Sequence, residues 1–493
     1  MARLTIDPIT RLEGHGKIEI FLDDAGDVER TYFQVPELRG FEAFCVGRPV
    51  EELPVLTNRI CGVCPEAHHL AAAKAADAVY DVDPPRTAKL LRELMYCAFY
   101  VTDHTTHFYA LGGPDVIVGP DAPVAERNIL GVIRKVGLEV GGKVIATRRA
   151  GHRVVELIGG RRIHPCTAVP GGMTKGITSD ERTEIEGIAR QMLDFAGFSL
   201  DLFDKLIAEG PTRELLLGDL FRHETYYSGL VDDAGHVALY DGRVRVVAPD
   251  GAEYATYPPA DYQEWIAEHV EPWTYLKFPY LRKVGWQGFV DGPASGVYCV
   301  GPLGRLNAAT GMATPRAQAA YERFFATLAP GSNGVRRPVH VRGAMHWARL
   351  VEMLFAAERM LELVADPDIT SAEVRVLPTR PPTEGVGTVE APRGTLTHHY
   401  WADERGIVTR VNLIVGTTNN HAPIAMSIDR AARGLIHHGV VVDDGLLDRI
   451  EMALRAYDPC FGCATHSLPG DMPLEVTIRD ASGETVGVIR RGD

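Results

Sequence analysis

The chain has 493 residues, 45% of them hydrophobic and 24% charged, and a formal net charge of −14; that balance belongs to a globular protein and excludes a disordered or fibrous chain. With no basic stripe to neutralise phosphates, general nucleic-acid binding is excluded, and no run of about 18 apolar residues is present to span a bilayer. Eight cysteines in a chain this long make no disulfide framework, and Met1-Ala2-Arg3 leads straight into an alternating pattern without the segments of an export signal, so a cytoplasmic location is expected.

In chain order, residues 3–35 alternate as strands, with 17–22 and 31–35 flanking Asp23-Asp24-Ala25-Gly26-Asp27, a hairpin signal. Glu13 lies in the turn between the first strand and this hairpin, and Glu42 follows Arg39-Gly40-Phe41; alone, each reads as a solvated carboxylate. An alanine-rich helix is predicted over 70–79, stopped near Asp83-Pro84-Pro85. Apolar spacing at Leu90, Leu91, Leu94, Met95, Ala98, Val101 and Phe108 predicts a long helix over 86–111. It carries Asp103, His104 and His107, and a buried Asp on such a face requires a partner. Glycine-rich turns at 159–165 and 170–173 match neither a Walker pattern nor G-x-G-x-x-G. A helix over 179–210 opens with the capping-type start Ser179-Asp180-Glu181-Arg182. A small β excursion is expected over 236–257 around Asp241-Gly242 and Asp250-Gly251, then an irregular proline- and aromatic-rich wrap over 257–302. Helices with apolar stripes are predicted over 315–328 and 346–364, strands around 403–406, and a last helix over 444–457. The fold class is α+β, mainly α-helical, with a central bundle of long helices and peripheral β-hairpins.

Two C-x-x-C pairs stand near opposite ends, Cys61-Gly62-Val63-Cys64 and Cys460-Phe461-Gly462-Cys463. Thiolates three positions apart can face one ion and select zinc, iron, copper or nickel. Structural zinc is the common fate of two such pairs, but ribbons join them across a loop of roughly 15–20 residues. Here 396 positions run from Cys64 to Cys460. A site that closes only after the whole core has folded fits a reactive centre better than a staple. The remaining cysteines, Cys45, Cys97, Cys166 and Cys299, read as buried small hydrophobes and lack the close spacing of an iron-sulfur cluster. Electrons from a redox centre here must therefore leave through another polypeptide.

Arg59-Ile60-Cys61-Gly62-Val63-Cys64 and Asp458-Pro459-Cys460-Phe461-Gly462-Cys463-Ala464-Thr465-His466 resemble the two signatures of the nickel-iron hydrogenase large subunit, in its soluble cytoplasmic group, and the resemblance spans positions 3–466. It implies that Cys61 and Cys460 bind nickel terminally while Cys64 and Cys463 bridge to an iron carrying cyanide and carbon monoxide. Thr10-Arg11-Leu12-Glu13-Gly14-His15 is similar to the family's R-x-E-G-H segment, whose Glu takes a proton from a metal-bound thiolate, so that role falls to Cys460 and Glu13. Glu42, the carbonyl of Leu413 and His466 are implied ligands of a magnesium ion. His68 matches the histidine that hydrogen-bonds a bridging thiolate, whereas His69 is equally a satisfied core histidine. Ala391-Pro392-Arg393-Gly394 resembles a block whose Arg overhangs the open metal position, making Pro392 and Arg393 part of the pocket, with Asp103 and Asp458 as partners of the guanidinium. Thr417 matches the hydroxyl that hydrogen-bonds an iron-bound cyanide, although Gly416 stands where the family often has Pro. The block at 159–173 resembles a G-R-x-x-H-P segment beside the metal site.

On this reading residues 1–466 form one domain and 467–493 a C-terminal extension of the kind removed on maturation. The implied partners are a small subunit carrying iron-sulfur clusters and further electron-transfer subunits. The implied function is reversible heterolytic cleavage of dihydrogen. Two alternatives are a hydrogen-sensing subunit with little turnover and a structural zinc subunit of the same scaffold; a zinc staple has no use for Glu13 and Arg393.

Overall fold

The computed structural model describes residues 2–208, 211–330, 337–466, 475–480, 482 and 484–490. Five helices carry the architecture: α1 (Pro65–Val79), α2 (Arg86–Thr106), α3 (Leu138–Gly159), α4 (Ser179–Ile207) and α5 (Met345–Ala365). Helix α2 buries Leu90, Leu91, Leu94, Met95, Ala98 and Val101, and α5 buries Leu350, Met353, Leu354 and Met360. These stripes face each other: α5 packs on α2 and α4, and α2 packs on α3. Gly151 permits the α2–α3 approach, because a Cβ there would sit 2.0 Å from Thr102 Oγ1.

Small sheets surround this bundle. Strands β1 (Ala2–Ile6), β2 (Lys17–Leu22) and β3 (Val28–Gln34) form an antiparallel meander, and Asp23 Oδ1 accepts from the amides of Ala25 and Asp27 in its turn. Strands Tyr226–Val231, Arg243–Val247 and Glu253–Tyr257 form the β excursion, with Tyr298–Cys299 added in parallel at the first strand. Strands β4 (Glu384–Ala391), β5 (Gly394–Ala402) and β6 (Val408–Ile414) form a second meander, and β4 lies directly on α1. A Cβ on Gly387 would come within 2.1 Å of the Ala71 carbonyl oxygen, so this strand and helix touch backbone to backbone. The fold is α+β with a helical centre and peripheral hairpins, as expected.

Several elements differ from the sequence reading. Helix α1 starts at Pro65, immediately after Cys64, because proline at the first position of a helix costs no hydrogen bond. The helix expected over 86–111 stops being α-helical at Thr106 and widens into π turns at His107–Leu111 and Pro114–Val118. The amide of Gly112 bonds the His107 carbonyl at 2.8 Å, and Arg11 Nη1 holds the Leu111 carbonyl at 3.2 Å, so a tertiary contact competes with the local period. The cap of α4 is Thr178, with Glu181 completing a capping box, one residue before the expected Ser179. The wrap over 257–302 contains a regular hairpin, Ile266–Val270 with Lys277–Leu281. All eight cysteines are free thiols, and Cys166 is half-buried rather than buried. In the C-terminal extension Glu475–Arg479 pairs antiparallel with Thr485–Arg490, while 467–474 lie outside the described residues.

Candidate metal centre

The two C-x-x-C pairs meet. The Sγ atoms of Cys61, Cys64, Cys460 and Cys463 all lie within 4.8 Å of one another, at most 3% of any of the four residues exposed. Cys61 follows a tight turn, Thr57–Ile60, in extended conformation, and Cys64 is the residue preceding α1. The amides of Val63 and Cys64 donate to Cys61 Sγ at 3.2 and 3.3 Å. Cys460 likewise precedes a single helical turn, Phe461–Ala464. Across the centre Cys61 faces Cys460 and Cys64 faces Cys463, each at 3.5 Å. The N-terminal segment clamps the second motif: the Phe461 amide donates to the Glu13 carbonyl at 3.0 Å, and the Arg39 amide to the Thr465 carbonyl at 2.9 Å.

Hydrogen bonds from Cys460, Cys463 and Cys64 push the Cys61 thiol well below its ordinary value, while burial pushes Cys460 and Cys463 well above theirs. Four sulfurs packed this closely cannot all carry charge unaided. A soft cation among them would supply the missing charge, and four thiolates suit zinc, iron, copper or nickel.

Acid–base groups surround the sulfurs. Glu13 is half-buried; its Oε2 accepts from Cys460 Sγ and from the Gly462 amide, both at 3.0 Å, and burial raises its carboxyl. Pro392 and Arg393 form a two-residue turn between β4 and β5, closed by the Ala391–Gly394 pair. That turn aims the guanidinium inward, where Nη1 lies 3.2 Å from Asp103 Oδ1 and Nη2 2.9 Å from Asp458 Oδ2. Burial pushes Asp458 up to about 7 even against the pull of Arg393. The Arg393–Asp103 and Arg393–Asp458 pairings anticipated from sequence are both present.

Thr417 Oγ1 accepts from the Cys460 amide at 3.0 Å, which leaves its hydroxyl proton able to donate. Glu42 Oε1 accepts from the Leu413 amide at 2.9 Å, and His466 packs edge-on against Phe41 at 5.9 Å. Glu42, Leu413 and His466 therefore share one neighbourhood behind the second motif, with His466 bonded to the Cys463 carbonyl. His68 is fully buried and its Nε2 has no partner among the described residues. His69 is a satisfied core histidine: the Ala168 amide donates to Nε2 at 3.1 Å, which leaves Nδ1–H for the Pro54 carbonyl at 2.8 Å. In the glycine-rich block His164 Nδ1 meets the Asn58 carbonyl at 3.0 Å, three residues before Cys61.

Other groups went unseen in the sequence. Arg305, fully buried, donates to Glu352, to Glu390 and to the carbonyls of Ala391 and Pro392, fixing the Arg393 turn from behind. Glu352 also meets His104 Nε2 at 3.1 Å. On α5, His346, Arg349 and Glu352 form an inward polar line at three-residue spacing inside an apolar helix. That interruption was the available signal, but reading the helix for its apolar stripe alone hides it. A second buried cluster joins Arg11 and Arg455 to Asp115 and Asp448, tying the segment before Glu13 to the helix before Cys460.

A sequence profile of nickel-dependent hydrogenases matches residues 39–125 and 291–466, and one described as HoxL-like matches residues 3–38. An iron-sulfur subunit of the F420-non-reducing hydrogenase of Archaeoglobus profundus is 48% identical over 491 residues, covering 99% of this chain and 100% of the relative. The NAD-reducing hydrogenase HoxS subunit beta of Cupriavidus necator is 37% identical over 500 residues, covering 98% of each chain. Among solved structures, an NAD+-reducing NiFe-hydrogenase in the H2-reduced state superposes with a TM-score of 0.87 at 39% identity, covering 94% of this chain and 100% of that one. A Ni-Fe-Se hydrogenase from D. vulgaris Hildenborough, 22% identical with a TM-score of 0.73, covers 94% of this chain and 100% of its own and shares the fold.

Proposed function

Because this chain belongs to the nickel-dependent hydrogenase family and is the catalytic subunit of a nickel-iron hydrogenase, we propose that Cys61, Cys64, Cys460 and Cys463 hold nickel together with an iron carrying cyanide and carbon monoxide. The reaction is H2 ⇌ 2H+ + 2e−, run in either direction. When bound, the metal pair supplies the Lewis acidity that polarises dihydrogen for heterolysis.

The chain's own residues then handle the proton. Cys460 Sγ receives it, and Glu13 Oε2, at 3.0 Å, carries it toward solvent; the single observation that carries the reading is this half-buried thiol–carboxyl contact at the edge of four converging sulfurs. A carboxyl raised by burial suits that relay, since efficient proton transfer wants donor and acceptor of similar affinity. Arg393, oriented by Asp103 and Asp458, places a fixed positive charge near Cys460 and Cys64. Pro392 stands in the same turn, and Thr417 would offer its hydroxyl proton to a cyanide on the iron. Glu42, the Leu413 carbonyl and His466 would hold a magnesium ion.

Electrons leave through an iron-sulfur small subunit, and from there through further electron-transfer subunits. Among the described residues the four cysteines are the one group of clustered metal-type ligands. No helix of the described residues is long and apolar enough to cross a membrane, and we place the assembly in the cytoplasm. Residues 1–466 act as one domain, and 467–493 are a maturation extension, removed once nickel is in.

An infrared spectrum of the anaerobically purified enzyme with its small partner, alongside nickel and zinc analysis, tests the centre. Carbon monoxide and cyanide bands with stoichiometric nickel are expected. Zinc without those bands would overturn the binuclear reading, and iron bands without nickel would identify an immature precursor.

A further inference from the structure

A line of hydrogen bonds runs inward from His68, one helical turn past Cys64. His68 Nδ1 lies 3.1 Å from His398 Nε2, and His398 Nδ1 lies 2.5 Å from the Tyr400 hydroxyl. His68, His398 and Tyr400 are all 0% exposed. The strand alternation of β5 explains the arrangement: His398 and Tyr400 are two apart and share a face, β5 packs across α1, and His68 is on α1, four residues past Cys64. His399, on the opposite face, pairs instead with Tyr262 and Glu384.

Each link carries one proton, so the line has two polarities. In one, Tyr400 donates to His398 Nδ1, His398 Nε2–H donates to His68 Nδ1, and His68 carries its proton on Nε2, a buried atom without a partner among the described residues on a ring one helical turn past Cys64. In the other, every donor points away: Tyr400 gives its proton to Thr57, its other hydrogen-bond neighbour, whose own hydroxyl donates to the Leu53 carbonyl at 2.7 Å. His68 then leaves a bare lone pair on Nε2, with no donor for it among the described residues. A metal-bound thiolate is an acceptor and repels a lone pair, so only the first polarity suits a loaded centre.

We propose that His398 and Tyr400 are positioning residues that lock His68 in its Nε2–H tautomer, so that the ring donates to a metal-binding thiolate and withdraws electron density from it. The proposal deepens the four-cysteine nickel reading above and rests on it. Neither residue touches the reacting atoms; both act through His68, as partners behind a metal ligand do elsewhere.

The test uses the assembled, nickel-loaded enzyme and the midpoint potential of its nickel paramagnetic resonance signal. Tyr400→Phe and His398→Leu are expected to move that potential to more negative values at unchanged nickel content, because a thiolate that loses a donated hydrogen bond keeps more density on the metal. His398→Gln, whose amide can donate to His68 Nδ1, is expected to restore the wild-type potential. Thr57→Val removes only the competing acceptor and is expected to cause no negative shift. An unmoved potential in nickel-replete His398→Leu overturns the proposal, and so does a negative shift in Thr57→Val matching that of Tyr400→Phe, which would give the line the opposite polarity. A second readout needs no variant that must assemble: histidine ¹⁵N shifts of the wild-type enzyme should report His68 protonated at Nε2, and protonation at Nδ1 overturns the proposal. Zinc in place of nickel in the wild type would overturn the nickel reading instead, and the ¹⁵N shifts would still decide the tautomer.

Discussion

Replacing Glu13 by Gln isolates the proton-transfer step. Glu13 Oε2 sits 3.0 Å from Cys460 Sγ and 3.0 Å from the Gly462 amide. The amide oxygen of Gln can still accept from Gly462, so the clamp on the second motif survives and the stability change should stay within about 0.5 kcal/mol. What disappears is a group able to take and return a proton. General acid–base groups contribute about 10²–10⁴-fold, which corresponds to about 3–5 kcal/mol of barrier. Glu13→Gln should therefore lower both dihydrogen-dependent dye reduction and exchange of deuterium gas with water by two to four powers of ten, with nickel content unchanged. Glu13→Asp withdraws the carboxylate by one carbon–carbon bond, about 1.5 Å, and should fall between the two. Dye reduction by Glu13→Gln within twofold of wild type, at full nickel occupancy, would refute the assignment.

Arg393→Lys keeps the charge but loses the fork that reaches both Asp103 and Asp458; turnover should fall about 10²-fold with nickel retained, read by dye reduction against metal analysis. Gly387→Ala forces a methyl to within 2.1 Å of the Ala71 carbonyl oxygen, and β4 or α1 must shift, so a loss of about 1–3 kcal/mol is expected by thermal denaturation. Burial lowers the His69 imidazole to about 4, below its ordinary 6.5, so the unfolded chain binds its proton first as pH falls. His69 thus contributes stability that is complete above pH 6.5 and lost progressively down to about pH 4. Between pH 7 and 5 the loss is about 2 kcal/mol, and the melting temperature of His69→Gln should fall correspondingly less over that interval; parallel curves would show that His69 does not titrate on unfolding.

Sequence alone determined a great deal here. The two C-x-x-C pairs, the helical period of α2, the hairpin at Asp23–Asp27 and the short blocks holding Glu13, Asp103 and Arg393 are local patterns, and local patterns follow from neighbours along the chain. Pairing Arg393 with Asp103 and Asp458 was implied by the resemblance of their blocks to the family's, together with the need of a buried guanidinium for carboxylates. The tertiary structure decided what depends on contacts between distant segments. It brought Cys64 and Cys463 to 3.5 Å, laid Glu13 alongside Cys460 as a strand-like bridge, and widened the end of α2 where Arg11 takes the Leu111 carbonyl. It also turned His398, Arg305 and Glu352, unremarkable in their own segments, toward the centre. A polar side chain's burial and partners are set by what packs against it from elsewhere in the chain; the polar line on α5 marks Glu352 in the residue order, but nothing there names its partners.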